Sequence, residues 1–282
     1  MATWENATGH ALSSPAWLET HHAAKLPERM QFARSLIKYH PRRLLDLGCG
    51  TGLWLDTLDK VLPDDCEFVG IDADPQALEH AHKRARRWDR NSEFLRCDLA
   101  ENLTSLPSAD MVLAFNMLPY LPNALEILEH LREKANRIII RQYDGDTMRI
   151  GPMPSGDRYS IDSALHTALG KHGDPSHYDL DRAFQLIHAS TLAIESLDFE
   201  LTRRCAPFSL EFAAYLEETI EWMRMHLPGD ARHLLDHISA KLGNDDPLYF
   251  TQVDLIAILA TPTTAPIHRP AYHASRDAQI GR

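Results

Sequence analysis

Between residues 44 and 54 the chain reads Leu-Leu-Asp-Leu-Gly-Cys-Gly-Thr-Gly-Leu-Trp, and this stretch limits the fold more than any other. Leu44, Leu45 and Leu47 form an apolar run that predicts a strand. The glycines after it predict a tight turn, and 53–62 predicts a helix. Glycines at alternate positions let the backbone bend sharply and approach a ligand where a Cβ would collide. The helix that follows directs its unpaired N–H groups at the same place. Strand, glycine loop and helix in this order open a nucleotide-binding, doubly wound α/β domain. A dinucleotide fingerprint, Gly-x-Gly-x-x-Gly, would need a third glycine at residue 53, which is Leu53. A nicotinamide oxidoreductase is disfavoured on that ground. The spacing present is Gly48-x-Gly50-x-Gly52, with Asp46 just before it.

The rest of the chain alternates strands and helices. Ser13-Ser14-Pro15 is a helix start, with serine as cap and proline in the first turn; this helix carries Trp17, His21 and Lys25 along one face. Pro27 begins a second helix with Met30, Ala33, Leu36 and Ile37 as its apolar stripe. Strands are expected at 68–72, 93–98, 110–115 and 137–143, the first two ending on Asp72 and Asp98. Helices are expected at 74–88 and 123–133 between them. Residues 144–175 are rich in Gly, Pro, Asp and Ser and read as a long loop with one short helix near 161–169, a length that more often marks function than accident. Helices at 180–190, 209–227 and 231–242, with strands at 193–203 and 249–260, complete the pattern, which implies a parallel sheet with both faces covered. Residues 1–12 and 262–282 lack periodicity and are expected to be frayed or disordered.

Composition excludes several function classes. Twenty-nine Lys+Arg against 40 Asp+Glu give a formal net charge of −11, which repels phosphate backbones and disfavours a nucleic-acid partner. The densest basic run, 83–87, falls on a peripheral helix and reads as a solvated face. The four cysteines show no Cys-x-x-Cys pair, so free thiols in a reducing compartment are the simplest reading. No apolar run approaches the ~20 residues of a membrane span, and residues 1–10 lack the apolar core of a secretory signal. A cytoplasmic protein without a membrane partner is expected.

The loop Gly48-x-Gly50-x-Gly52 preceded by Asp46, with acids at the ends of the next two strands, resembles motif I and its companions in class I S-adenosylmethionine (SAM) dependent methyltransferases. The resemblance is specific over about residues 40–145. It is weaker over 180–262, where the order of elements matches the family's closing hairpin. It implies an α/β fold with a doubly wound, seven-stranded, mostly parallel Rossmann-like sheet, an N-terminal helical cap over 1–40 and a methyltransferase domain over 41–262. Within that domain, 144–178 would form the acceptor-side loop region and 209–243 a helical insertion. The cofactor implied is SAM, with S-adenosylhomocysteine as product. By resemblance, Asp46 organises the loop (Gly48, Cys49, Gly50, Gly52) and the amino end of SAM. Asp72, with Ala73 beside it, accepts the ribose hydroxyls; Asp98, beside Leu99, reads the adenine; Asn116 and Met117 line the methionine part.

Acceptor class follows from what stands after the fourth strand. Asn116-Met117-Leu118-Pro119-Tyr120 lacks the paired prolines of the Asn/Asp-Pro-Pro-aromatic motif found in enzymes that methylate nucleic-acid bases or protein glutamine. It looks like the hydrophobic segment of small-molecule enzymes. Methylation of an O or N atom of a small metabolite, in secondary metabolism, is therefore expected. Such a displacement needs positioning and, for some acceptors, removal of a proton. Tyr143, Asp144 and His21 are the catalytic candidates, and Trp17, Tyr120, His166, His172, His177 and Tyr178 stand near the expected acceptor. Lys25 or Arg29 could pair with the SAM carboxylate or remain a solvated charge. His233 and His237 sit at i and i+4 without a His-Glu-x-x-His motif, so no metal is expected. The absence of a clear general base keeps an alternative open, a SAM-binding protein that does not methylate. The hydrophobic cap would serve a homodimer interface as well as a lid.

Overall fold

The computed structural model describes residues 14–103, 106–143, 148–169, 179–229, 231–242 and 246–261. Five parallel strands and one long antiparallel pair make the sheet. β1 (Arg43–Leu47) lies between β2 (Glu67–Asp72) and β4 (Ala109–Phe115); β3 (Ser92–Arg96) flanks β2 and β5 (Ala135–Tyr143) flanks β4, all parallel. β8 (Tyr249–Ala260) then runs antiparallel to β5, with Tyr143 opposite Asp254, and β7 (Ala193–Cys205) closes the sheet along the other edge of β8. Consecutive burial of Ile138, Ile139 and Ile140 shows why β5 is central: neither of its faces reaches water.

Alternation along each strand divides the core in two. Ile138, Ile140, Leu255, Ala257 and Leu259 pack beneath α5 (Ala124–Leu131) and α7 (Asp179–Ala189). Ile139, Ile258, Leu113 and Phe115 face the opposite layer with Phe32, Leu36, Leu55 and Leu58, which come from α2 (Leu26–Ser35), the turn after it and α3 (Leu53–Asp59). That opposite layer also carries α4 (Pro75–Ala85), capped by Asp74, while α1 (Pro15–Ala24), capped by Ser14, packs on α8 (Leu210–His226). A third cluster joins α6 (Ser155–Leu169), α8 and α9 (Asp236–Leu242) around Phe212, Tyr215 and Phe250.

β1 to β5, β7 and β8 are the seven strands the sequence predicts, and among the described residues the sheet carries a short eighth. The additional one is β6 (Arg149–Gly151), three residues that pair with Thr251, Phe250 and Tyr249. So short a strand has no periodicity of its own and exists because β8 runs past the end of β5. The expected loop over 144–175 is also corrected. Its described part holds β6 and a helix of 15 residues, α6, in which Ile161 and Leu165, one turn apart, are the residues that reach the core. Residues 155–160 are Ser-Gly-Asp-Arg-Tyr-Ser, with no apolar stripe, so the helical period becomes visible only from Ile161 on. Residues 1–12 and 262–282, the two expected frayed ends, fall outside the described residues.

The basic run at 83–87 is not uniformly solvated. Lys83 pairs outward with Glu79, but Arg84 turns inward, donating to the carbonyl of Thr51 in the glycine loop and pairing with Glu19 of α1 at 3.0 Å. Among the described residues no helix is long and apolar enough to cross a membrane.

Candidate functional site

Leu47 ends β1 fully buried, and the chain then turns through Gly48, Gly50 and Gly52 with φ of 65°, 53° and 77°. These left-handed angles are strained for any residue with a Cβ. At Gly52 space forbids one as well: an added Cβ would stand 3.1 Å from the Ala81 Cβ on α4. The loop is therefore clamped between α3 and α4. Its shape is held by Cys49 N–H donating to the Ile71 carbonyl and Gly50 N–H donating to Asp72 Oδ2 at 2.7 Å. Asp72 Oδ1 takes the Asp74 N–H at 2.9 Å, which fixes the carboxylate at the end of β2 with lone pairs still available.

Above this loop lies a cavity of about 340 Å³. Gly48, Cys49, Gly50 and Thr51 line its floor, Asp72, Ala73, Cys97 and Leu99 one side, and Phe115, Asn116, Met117 and Tyr143 the other, with Trp17, Leu18, His21 and Arg29 from the cap helices over it. Among the described residues the Thr51 Oγ1, buried on this floor, has no partner, and neither has His21 Nε2 overhead. The cavity thus gathers Gly48, Cys49, Gly50, Asp72, Ala73, Leu99, Asn116, Met117, Tyr143, His21, Trp17 and Tyr120 of the expected residues. Asp46, Gly52 and Asp98 do not line it. Asp46 is buried at the end of β1 beneath the loop, and Asp98 caps a turn by accepting from Ala100 N–H. Asp144, His172, His177 and Tyr178 lie outside the described residues. His166 sits in the last turn of α6, away from the cavity lining, and His233 and His237 are exposed.

Asn116 adopts φ 53° and accepts the Tyr143 N–H on its side-chain oxygen at 3.1 Å, tying the ends of β4 and β5 together. Tyr120 donates its hydroxyl to Asp179 Oδ2 at 2.8 Å. His21 packs against Trp17, centroids 4.2 Å apart, and edge-on to Tyr215 at 4.5 Å. Burial, then the Lys25 and Arg29 charges, hold its pKa well below the ordinary value. Gaining a proton is therefore opposed there, and His21 is better suited to a neutral hydrogen bond than to acting as a base.

Of the two readings left open for Lys25, the solvated charge does not hold. This residue is 5% exposed; its Nζ donates to Gln252 Oε1 at 2.6 Å and lies 5.2 Å from the Tyr143 ring centroid and 5.0 Å from that of Tyr215. Burial pushes its pKa down to about 7. Gln252 in turn donates to Asp254, which binds Arg141 at 2.7 Å. Sequence reading missed this network because its members sit between α1 and α2, on β5 and on β8, and meet only through the fold.

Burial, with the Asp72 charge adding, pushes Asp46 up to about 8. A carboxyl whose folded pKa exceeds its unfolded value keeps a proton that the unfolded chain has lost. Its contribution to stability therefore falls as pH rises from about 4 to about 8 and levels off above that. Asp46→Asn cannot ionise, so its stability relative to the parent should grow across this window by on the order of a few kcal/mol. Urea unfolding at several pH values checks this; a pH-independent difference would contradict it.

Residues 45–137 match the methyltransferase-domain family. Trans-aconitate 2-methyltransferase of Rhizobium etli is 32% identical over 122 residues, 42% of this chain and 45% of that protein. Malonyl-[acyl-carrier protein] O-methyltransferase of Legionella pneumophila is 33% identical over 91 residues, 32% of this chain and 30% of its own length. The chain spans less than half the length of these curated relatives. A crystal structure from Bacillus halodurans superimposes with a TM-score of 0.52 at 13% identity, covering 84% of this chain and 99% of the other, which shows the shared fold.

Proposed function

We propose that this chain is a class I SAM-dependent methyltransferase that transfers the methyl group of SAM to an O or N atom of a small molecule bound beneath its N-terminal helices. The observation that carries this reading is the single cavity joining the glycine loop, the ends of β2 and β4 and the cap helices. Its chemistry fits SAM: an exposed glycine backbone, a carboxylate fixed at the end of β2, and an orphaned hydroxyl at Thr51.

SAM supplies a methyl already activated on a sulfonium. The chain's own residues bind and orient. Asp72 accepts the ribose hydroxyls, and Ala73 and Leu99 flank the adenine. Gly48, Cys49 and Gly50 present backbone to the methionine part, alongside Asn116 and Met117. Asp46, Gly52 and Asp98 act through the loop and turn they hold. Trp17, Trp54, Phe115 and Tyr143 exclude water from the reacting atoms, a condition for holding the acceptor in line. Tyr143 and His21 adjoin the acceptor, and Asp144 follows Tyr143 in sequence. One relative is named for trans-aconitate, a small acid, which supports a small acceptor.

Incubation with methyl-labelled SAM and a small-molecule extract tests the reading. It expects label in a small product, with S-adenosylhomocysteine formed in equal amount; label confined to macromolecules, or none transferred, contradicts it.

A further inference from the structure

We propose that the outer edge of β7 binds a second copy of this chain, the two β7 strands pairing antiparallel about a two-fold axis at Leu201 so that the two sheets become one. The inference goes beyond the methyltransferase reading and does not depend on it. β7 pairs with β8 along one side, and among the described residues no strand lies along the other. The backbone N–H and C=O groups on that side form a template for another strand.

The strand lacks the features that ordinarily protect such an edge. From Ser196 to Cys205 its register with β8 is unbroken, the one irregularity lying between Ile194 and Ser196. That stretch holds no proline, glycine or lysine. Leu197 packs against the core beneath α7, but Phe199 and Leu201 on the same face are 53% and 52% exposed. The opposite edge of the sheet differs. β3 has five residues, and none of them is an exposed large apolar side chain.

Charge selects a second copy as the occupant. The chain carries a formal net charge of −11, yet 196–205 is neutral, with Asp198 and Glu200 against Arg203 and Arg204. Two copies meet here without the repulsion that the rest of the surface imposes. Residues facing each other across antiparallel strands point to the same side of the sheet, so a two-fold axis must pass at a residue. At Leu201 it sets Asp198 opposite Arg204 and Phe199 opposite Arg203, each twice, with Leu201 against its own copy. At Phe199 it would set Asp198 against Glu200 twice, and at Glu200 it would set that acid against itself, both unfavourable. Glu200 and Arg204 are paired within the chain, whereas among the described residues Asp198 and Arg203 have no ion-pair partner. The pairing supplies an arginine to the first and an aromatic face to the second.

The cap helices offer no comparable surface. α2 buries Phe32 and Ala33 in the chain's own core, and α1 packs on α8. The homodimer expected of the cap is better met by the sheet edge.

Analytical ultracentrifugation of the full chain over the micromolar range tests the proposal and should show a monomer–dimer equilibrium. Leu201→Lys and Phe199→Lys, both at exposed positions, should each weaken the dimer by at least about tenfold with an unchanged circular dichroism spectrum. On a Cys205→Ser background, Leu201→Cys should form a covalent dimer under a mild thiol oxidant faster than Phe199→Cys, because the axis brings only Leu201 against its own copy. A monomer at every concentration would overturn the proposal and leave the edge to a different partner. A dimer that both lysine variants leave unchanged would overturn it by placing the contact on another face. Cross-linking of Phe199→Cys as fast as that of Leu201→Cys would overturn the register.

Discussion

Asp72→Ala is expected to raise the Kd for S-adenosylhomocysteine by at least about 100-fold. Two ribose hydroxyls donating to a carboxylate contribute roughly 1.5–3 kcal/mol each, and every 1.4 kcal/mol is tenfold in affinity. The structure adds a second cost. Asp72 also receives the Gly50 and Asp74 N–H groups, so its removal leaves two loop donors without their acceptor. Asp72→Asn, which keeps one acceptor oxygen, should lose less than the alanine variant. Calorimetry on folded variants, with circular dichroism as the check on folding, measures both. An unchanged Kd in Asp72→Ala would mean that the ribose is held elsewhere.

The second large effect concerns stability and lies outside the cavity. Arg90 has a side chain 1% exposed, and its guanidinium donates to Asp59 Oδ1 and to the carbonyls of Asp59, Leu62, Pro63 and Cys66. Its planar fork thereby closes the turn between α3 and β2, stacked over Phe68 at 4.2 Å. Arg90→Ala strands several buried carbonyls and should cost about 3–5 kcal/mol, read as a lowered urea midpoint. Arg90→Lys should recover little, because an ammonium has three donors on a single nitrogen and cannot span the same carbonyls. A loss below about 1 kcal/mol would contradict this account of the turn.

These two residues also show what could and could not be read from the chain. Asp72 was legible because strand alternation and glycine spacing place it by local rules. The same rules located β1, β2, β4 and β5, and the antiparallel closing pair followed only from the resemblance to the methyltransferase family's closing order. Arg90 carries no signal in its own stretch of sequence; its role depends on carbonyls that converge only when α3 ends. Lys25 and Gln252 are 227 residues apart, and nothing in either neighbourhood announces the other. β6 escaped for a related reason, since three residues carry no pattern and are held by the overhang of β8. Sequence periodicity reports what an element does to its own faces. It says little about polar contacts made between elements, and that from Lys25 to Gln252 is of that kind.

The account stands or falls on whether the cavity above Gly48 and Gly50 takes the methyl donor's product. The most direct measurement is a calorimetric titration of the full chain with S-adenosylhomocysteine. Saturable one-to-one binding that Asp72→Ala weakens is the predicted result. Heats indistinguishable from dilution, up to the solubility limit of the ligand, would contradict it.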